Sequence, residues 1–218
     1  MRREQVCKDL EISKLMCIFR GAQISEQDLY AAVQAVIDGG GKFIEITYNH
    51  PGGIEGMMAI RQLKKRFGES IYVGAGTILN VQEAKEAIEA GSDFIVAPSL
   101  NKEVIDLCHE QDLMCMPGAC TSTEVVQAHE YGADFVKLFP AGVLGMDYAN
   151  ALMKPLGFIR YFAVCKMDEK MFEECLANGF SGAGVSSSIN DPKLIAAKDF
   201  DKIREKTAAY VSIAKKYS

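Results

Sequence analysis

Two charged residues stand inside apolar stretches of this sequence. Lys137 lies in the run DFVKLFP and Glu45 in the run KFIEIT. A lysine kept away from water has a lowered pKa and becomes a neutral amine, which is a nucleophile. Such an amine can attack a ketone and form a Schiff base, while a nearby glutamate moves the protons that dehydration and C–C cleavage require. The two residues therefore predict carbonyl chemistry in a buried site.

An internal repeat relates the two residues. The segments GGKFIEI, GSDFIVA, GADFVKL and GFSGAGV align on glycines 40, 91, 132 and 179. Five residues after these glycines stand, in order, Glu45, Val96, Lys137 and Gly184. Because side chains alternate along a strand, the equal spacing predicts that all four share one face. Two other interpretations stay open: a buried Glu45–Lys137 ion pair, or a Lys137 that faces water at a strand end.

Short β-branched runs alternate with amphipathic stretches along the whole chain, and these are the elements that must position the two residues. We predict strands at 15–19, 42–47, 71–75, 93–97, 113–117, 134–139, 160–164 and 181–185. Between them lie helical patterns that end in glycine, and the opening MRREQVCKDLEISKLM predicts an N-terminal helix. The pattern favours an α/β fold, a parallel (β/α)8 TIM barrel, over an open doubly wound sheet.

Composition limits the function classes. The chain has 218 residues, 49% of them hydrophobic, which predicts a single barrel domain over residues 1–218. Its net charge of −5 gives no reason to expect nucleic acid or an anionic membrane as partner, so we expect a small-molecule substrate. Seven scattered cysteines without a C-x-x-C pair, and no signal-peptide-like stretch, indicate reduced thiols and a cytoplasmic protein. The three histidines form no ligand-spaced set, so we predict no metal.

Two further polar residues close predicted strands. Thr77 stands in VGAGTILN, where small glycines let the backbone approach a ligand; the other interpretation is a glycine-rich turn in which Thr77 or Asn80 caps the next helix. Arg20 ends the first strand in CIFRG, where it is either a fork for a carboxylate or a solvated arginine.

Several motifs together carry a family resemblance. CIFRG, IEITYNHP, VGAGTILN, VAPSLN, PGACTSTE, VKLFPAG and GAGVSSS occur in this order between about residues 12 and 190. The chain resembles the 2-keto-3-deoxy-phosphogluconate and 2-keto-3-deoxy-phosphogalactonate aldolases, which include 4-hydroxy-2-oxoglutarate aldolase activity.

The resemblance implies a class I, pyruvate-forming aldolase with a barrel fold, commonly a homotrimer, and no metal or other cofactor. It makes Lys137 of VKLFP the Schiff-base lysine and Glu45 of IEIT the acid/base. Thr77 would contact the pyruvyl group and Arg20 its carboxylate. Asn49 in YNHP resembles the phosphogalactonate branch. The resemblance also places Asn49, and Pro98 of VAPSLN, among the substrate-binding residues.

The seventh strand departs from the family pattern. The family's Gly-Gly pair, whose N–H groups hold the substrate phosphate, is replaced by Cys165 and Lys166 in FAVCKMDEK. Asp168 and Glu169 follow where a helix is expected to begin, and their charge should repel a phosphate. Lys166 alone would offset this repulsion. The eighth unit keeps Gly184, Ser186 and Ser187. These residues are either the remaining half of the phosphate site or a hydroxyl-rich turn before a helix.

Three hypotheses follow from this departure. The first is an active aldolase whose aldehyde product is poorly phosphorylated or not phosphorylated. The second keeps the usual phosphosugar acid, with Lys166 supplying the charge. The third is a non-catalytic ligand-binding barrel. Retention of both Lys137 and Glu45 favours an active enzyme.

Overall fold

The computed structural model describes residues 2–20, 24–48 and 54–217. Its strands are β1 (Leu15–Phe19), β2 (Phe43–Thr47), β3 (Tyr72–Gly76), β4 (Phe94–Val96), β5 (Met114–Met116), β6 (Gly118–Ala119), β7 (Val136–Leu138), β8 (Tyr161–Val164) and β9 (Gly182–Val185). Its helices are α1 (Arg2–Ser13), α2 (Glu26–Asp38), α3 (Ile54–Phe67), α4 (Val81–Glu89), α5 (Lys102–Glu110), α6 (Ser122–Glu130), α7 (Ala141–Leu144), α8 (Met146–Met153), α9 (Glu169–Ala177), α10 (Pro192–Ala196) and α11 (Phe200–Ala214). Single 3-10 turns span Gly68–Ser70 and Lys215–Tyr217.

The strands form one parallel sheet that closes on itself. Each neighbours the next around the sheet in the order β5-β4-β3-β2-β1-β9-β8-β7-β6. The end strands β5 and β6 are consecutive pieces of chain separated only by Pro117, and they pair with β4 and β7 respectively. The predicted (β/α)8 barrel is confirmed, and the doubly wound alternative is wrong.

One short strand of the structure lies outside the predicted ones. The sequence predicts a strand over 113–117, which is β5 (Met114–Met116), whereas the two-residue strand β6 begins after it at Gly118. Pro117 between them has no N–H to donate to a neighbouring strand, so the ladder is interrupted there. Its carbonyl still accepts a hydrogen bond from the Lys137 amide at 2.9 Å, which holds β7 in register.

The glycine repeat marks four equivalent helix ends. Gly40, Gly91, Gly132 and Gly179 have φ values of 90, 94, 85 and 89°. In each case the amide after the glycine bonds back to a carbonyl of the preceding helix, as Ser92 N–H does to Ala87 O at 3.1 Å. This left-handed helix termination favours glycine because it has no Cβ. Because the four helices end in the same way, the side chains of the strands that follow them alternate in the same phase relative to the barrel interior.

The barrel interior is apolar at its N-terminal end and is closed there by α1. Its buried strand residues are Met16, Phe43, Phe94, Val96, Met114, Met116, Phe135 and Phe162, and they pack with Val6, Cys7 and Leu10 of α1. A second apolar cluster lies between the strands and the outer helices. These apolar side chains fill the half of the interior at the N-terminal ends of the strands. The polar interior residues therefore lie in the other half, toward the C-terminal ends.

Ion pairs hold α1 in place below the barrel. The Arg3 guanidinium contacts the Asp134 carboxylate at 2.9 Å, and Arg2 pairs with Asp93. Both aspartates are buried and also accept backbone N–H bonds, Asp93 from Val73 at 2.8 Å and Asp134 from Cys115 at 2.9 Å. No helix among residues 2–20, 24–48 and 54–217 is long and apolar enough to cross a membrane.

Candidate active site

Glu45 and Lys137 both face the interior of the barrel. Glu45 lies at the centre of β2 and is 2% exposed, and Lys137 lies at the centre of β7 and is 6% exposed. A Cβ built on Gly76 would overlap the Oε1 atom of Glu45, so the carboxylate lies over the end of β3. The shared phase predicted from the repeat is confirmed, because Val96 belongs to the interior cluster and a Cβ on Gly184 would contact Ile18 and Val164 of the neighbouring strands β1 and β8.

Burial shifts the pKa of both groups toward their neutral forms. Desolvation lowers the pKa of the Lys137 amine, the Glu45 carboxylate raises it, and the Arg20 guanidinium lowers it further. Desolvation raises the pKa of Glu45, while Lys137 and Arg20 oppose that rise. An amine of lowered pKa near a carboxyl group of raised pKa is the combination that nucleophilic attack and proton transfer require.

The two alternative interpretations of Lys137 do not fit its surroundings. Lys137 is buried, so it does not face bulk water. The salt bridges of the described residues, which extend to 4.0 Å, do not include a Glu45–Lys137 pair. Glu45 Oε2 is buried and accepts no hydrogen bond from the described residues, and Lys137 Nζ lies 4.9 Å from the centre of the Phe139 ring. Neither side chain is therefore held in a salt bridge between the two, and Lys137 contacts the Phe139 ring instead.

A cavity of about 1030 Å³ opens at the C-terminal ends of β1, β7, β8 and β9. Four predicted site residues line it together with Cys165: Arg20, Lys166, Ser186 and Ser187. Its other walls are mostly apolar, among them Phe19, Phe139 and Val164. Lys137 and Glu45 do not line the cavity. Arg20 and Phe139 connect the two regions, since Arg20 acts electrostatically on both Glu45 and Lys137 and Phe139 lies over the lysine.

Thr77 has strained backbone geometry at the end of β3. Its φ of 65° lies in the left-handed region, which a β-branched residue rarely adopts. Asn80, not Thr77, caps α4 by accepting a hydrogen bond from the Glu83 amide at 3.0 Å. The helix-cap explanation therefore applies to Asn80 alone. Thr77 adjoins Gly76, against which the Glu45 carboxylate lies.

The remaining predicted residues occupy different places. Pro98 is half-buried, and a Cβ on Gly118 would overlap its carbonyl oxygen; Gly118 in turn is the β6 partner of Lys137. Gly184 is buried in β9 below Ser186. Asn49 lies outside the described residues. Among those that are described, no three His, Cys, Asp or Glu side chains converge as metal ligands would.

Sequence reasoning missed Asn190, which lines the cavity and is 6% exposed. Its Nδ2 donates to the Ile18 carbonyl at 3.1 Å, two residues before Arg20. Its own N–H donates to Ser186 O at 2.9 Å, so Asn190 connects the turn after β9 to the end of β1. An asparagine in a serine-rich turn carries no sequence signal that would distinguish this role, because its partner is 172 residues away.

Comparisons with known proteins show the family of this chain. The family model of KDPG and KHG aldolases matches residues 6–206. The chain belongs to the KDPG and KHG aldolase family. It is 31% identical over 198 residues to the 2-dehydro-3-deoxy-6-phosphogalactonate aldolase of Escherichia coli (strain K12), covering 90% of this chain and 92% of that protein. It is 31% identical over 178 residues to the 2-dehydro-3-deoxy-phosphogluconate aldolase of Treponema pallidum (strain Nichols), covering 81% and 83%.

Solved structures of KDPG and KDPGal aldolases share the fold. A native KDPGal aldolase structure superimposes with a TM-score of 0.82 at 29% identity, covering 93% of this chain and 95% of that one. KDPG aldolase from Legionella pneumophila, at 20% identity and a TM-score of 0.81, covers 91% and 95%, and holds pyruvate as a covalent carbinolamine intermediate. The family consists of pyruvate-forming class I aldolases, which are lyases. This chain is therefore an aldolase.

The helices that follow β8 and β9 in this aldolase are both capped by acidic side chains. Asp168 accepts a hydrogen bond from the Met171 amide at 2.8 Å at the start of α9. Asp191 accepts one from the Lys193 amide at 2.9 Å at the start of α10. A carboxylate that occupies a helix N-terminus uses the N–H groups and the positive end of the dipole that an anionic ligand would otherwise use.

Proposed function

We propose that Lys137 is the Schiff-base nucleophile and Glu45 the acid/base of a reaction that cleaves a 2-keto-3-deoxy sugar acid, or 4-hydroxy-2-oxoglutarate, to pyruvate and an aldehyde. The observation that carries the proposal is that these two side chains are both buried and both face the barrel interior. The pKa of Lys137 is lowered by its burial and that of Glu45 is raised by its own, which suits their roles.

The chemistry balances with these two groups. The neutral Lys137 amine adds to the C2 ketone to form a carbinolamine, and loss of water with a proton from Glu45 leaves the iminium. The Glu45 carboxylate then takes the proton of the C4 hydroxyl as the C3–C4 bond breaks, which releases the aldehyde and leaves an enamine on Lys137. Protonation at C3 and hydrolysis of the imine release pyruvate.

The remaining site residues would orient the substrate. Arg20 lies in the cavity wall and acts electrostatically on both reactive groups, so it is placed to bind the C1 carboxylate of the pyruvyl unit. Thr77 and Pro98 would contact the same unit from β3 and β4. Lys166, Ser186, Ser187 and the backbone of Gly184 would bind the distal end of the acid.

The distal end is where we propose a departure from the usual phosphate site. The bare Gly-Gly cradle is replaced by Cys165, which is half-buried, and Lys166, which is exposed. Because Asp168 and Asp191 cap the adjoining helices, Lys166 is the cationic side chain of these two loops that lines the cavity and could attract an anion. We therefore propose that this aldolase depends weakly on a substrate phosphate or does not require one.

The test is reductive trapping. The enzyme is incubated with pyruvate and a hydride reductant, and the modified peptide is mapped by mass spectrometry. We expect one pyruvyl adduct on Lys137, none in Lys137→Ala, and an unchanged adduct in Lys170→Ala, which removes an exposed lysine of α9. An adduct on a different lysine, or no adduct on the folded enzyme, would overturn the assignment.

We also propose that the chain forms one domain over residues 1–218 and assembles as a homotrimer, as the family resemblance implies. Size-exclusion chromatography with light scattering tests the assembly directly. A mass three times that of the chain supports it, and a monomer or dimer mass contradicts it.

A further inference from the structure

Two loops form the side of the cavity where the distal end of the substrate would lie. One follows β8 and contains Cys165, Lys166 and Met167, and the other follows β9 and runs from Ser186 to Asn190. The last pair of residues between β8 and β9 is Val164 with Gly184, so both loops lie beyond the pairing of these two strands. Their relative position must therefore be maintained by contacts other than the strand ladder.

The C-terminal helix α11 contacts both loops through side chains that do not line the cavity. The Tyr210 hydroxyl donates to the Met167 carbonyl at 3.0 Å. The Lys206 ammonium donates to the Ser188 carbonyl at 2.9 Å. Residues four apart lie on the same face of a helix, so Tyr210 and Lys206 are adjacent on the face of α11 that meets the loops.

Tyr210 is also influenced by the second loop. Ser188 of that loop opposes the rise in the pKa of the Tyr210 phenol. Burial is the larger effect and raises the pKa of Tyr210 to about 12, so its hydroxyl keeps the proton it donates to Met167. Tyr210 and Met167 are each 2% exposed, and a carbonyl left unbonded there would have no access to water.

One of the two side chains, Tyr210, lies outside the family match. The family model ends at residue 206, so Tyr210 lies beyond the matched stretch. Neither Tyr210 nor Lys206 lines the cavity. A role in binding would therefore have to act through the loops.

We propose that Tyr210 and Lys206 are positioning residues: they fix the spacing of the loops after β8 and β9, and thereby the affinity for the part of the substrate beyond C4. The inference rests on the proposed function, because it takes the cavity as the distal substrate site. The pyruvyl unit, bound near Lys137 and Glu45, is independent of this spacing.

The first test compares Tyr210→Phe with Tyr161→Phe. Tyr161 is also buried, and its hydroxyl bonds only weakly to Leu156 O at 3.4 Å, away from both loops. In Tyr210→Phe we expect KM for a six-carbon 2-keto-3-deoxy-6-phospho acid to rise about fivefold, the effect of one lost buried hydrogen bond. The rate of pyruvate trapping should stay within about twofold of wild type. If KM rises equally in Tyr210→Phe and Tyr161→Phe, the Tyr210 hydroxyl has only a structural role and the proposal is wrong.

The second test uses the lysine. Lys206→Met should raise the same KM, whereas Lys206→Arg keeps a donor and should restore it. An unchanged KM in Lys206→Met would exclude this residue from the role.

A measurement independent of activity separates the two proposals. Amide hydrogen exchange in Tyr210→Phe should accelerate at Ile189 and Asn190, whose N–H groups bond to Ser186 O, and at Met171, bonded to Asp168. Faster exchange confined to α11 would overturn the inference even if pyruvate trapping succeeds. Failure of wild type to trap pyruvate, with exchange changed as expected, would instead overturn the proposed function and leave the loop contacts established.

Discussion

Gly76 lies directly against the carboxyl group of Glu45. A Cβ built on Gly76 would overlap Oε1 and come within 2.6 Å of the carboxyl carbon. The residue against which the proposed acid/base packs must therefore have no side chain. Glycine here serves close approach, because its φ is not in the left-handed region.

Gly76→Ala should therefore displace the Glu45 carboxyl group. We expect kcat for retro-aldol cleavage to fall by about 10²-fold or more, within the range for loss of a general acid/base. Gly157→Ala is the control, since a Cβ there would meet only Met153 O at 3.7 Å. Steady-state kinetics on both variants check this. Full activity in Gly76→Ala would show that the position of Glu45 does not matter.

Glu45→Gln should be at least as stable as wild type at neutral pH. Burial raises the pKa of Glu45 above its usual 4.5, so the folded state binds more protons than the unfolded state from about pH 4.5 up to the raised value. Wild-type stability therefore falls as pH rises through that window. The difference in unfolding free energy between variant and wild type should grow with pH, measured by urea denaturation from pH 4.5 to 8. A difference that shrinks as pH rises would contradict the raised pKa.

The rate of pyruvate trapping should level off below pH 10.5, the usual lysine value, because burial lowers the pKa of Lys137. Glu45 opposes that shift and Arg20 adds to it. Glu45→Gln should therefore move the midpoint of the pH profile to lower pH, and Arg20→Met should move it to higher pH. Trapping rates at saturating pyruvate measure both. Midpoints that move together would show that the two charges do not act on the amine.

Asp168→Asn should improve binding of a phosphorylated substrate. Asparagine caps a helix about as well as aspartate, so the variant keeps the bond to the Met171 amide while it loses the charge. We expect KM to fall about two- to fivefold at low salt for the phosphorylated acid.

The unphosphorylated analogue is the control for Asp168→Asn, since its KM should not change. The gain should also shrink as salt is added. Asp168→Ala should cost about 1 kcal/mol of stability, because it removes the cap as well as the charge. Equal effects on both substrates would remove the support for an altered phosphate site.

The sequence by itself determined the strand and helix order, the barrel and the facing of Glu45 and Lys137. All of these depend on local rules: alternation along a strand, and a glycine that ends a helix in the left-handed region, as at Gly132 before Lys137. It did not predict the two-residue strand β6 after Pro117, because that strand is defined by its pairing with β7, whereas β5 pairs with β4.

Only the tertiary structure decided what surrounds the two reactive groups. The overlap of Glu45 with Gly76, the Asn190 bond to Ile18 and the bond from Tyr210 to Met167 join residues far apart in the chain. Such contacts depend on how strands and loops meet across the closed barrel, and no local pattern encodes them. The pKa shifts belong here too, because desolvation of Lys137 requires the whole interior to be packed around it.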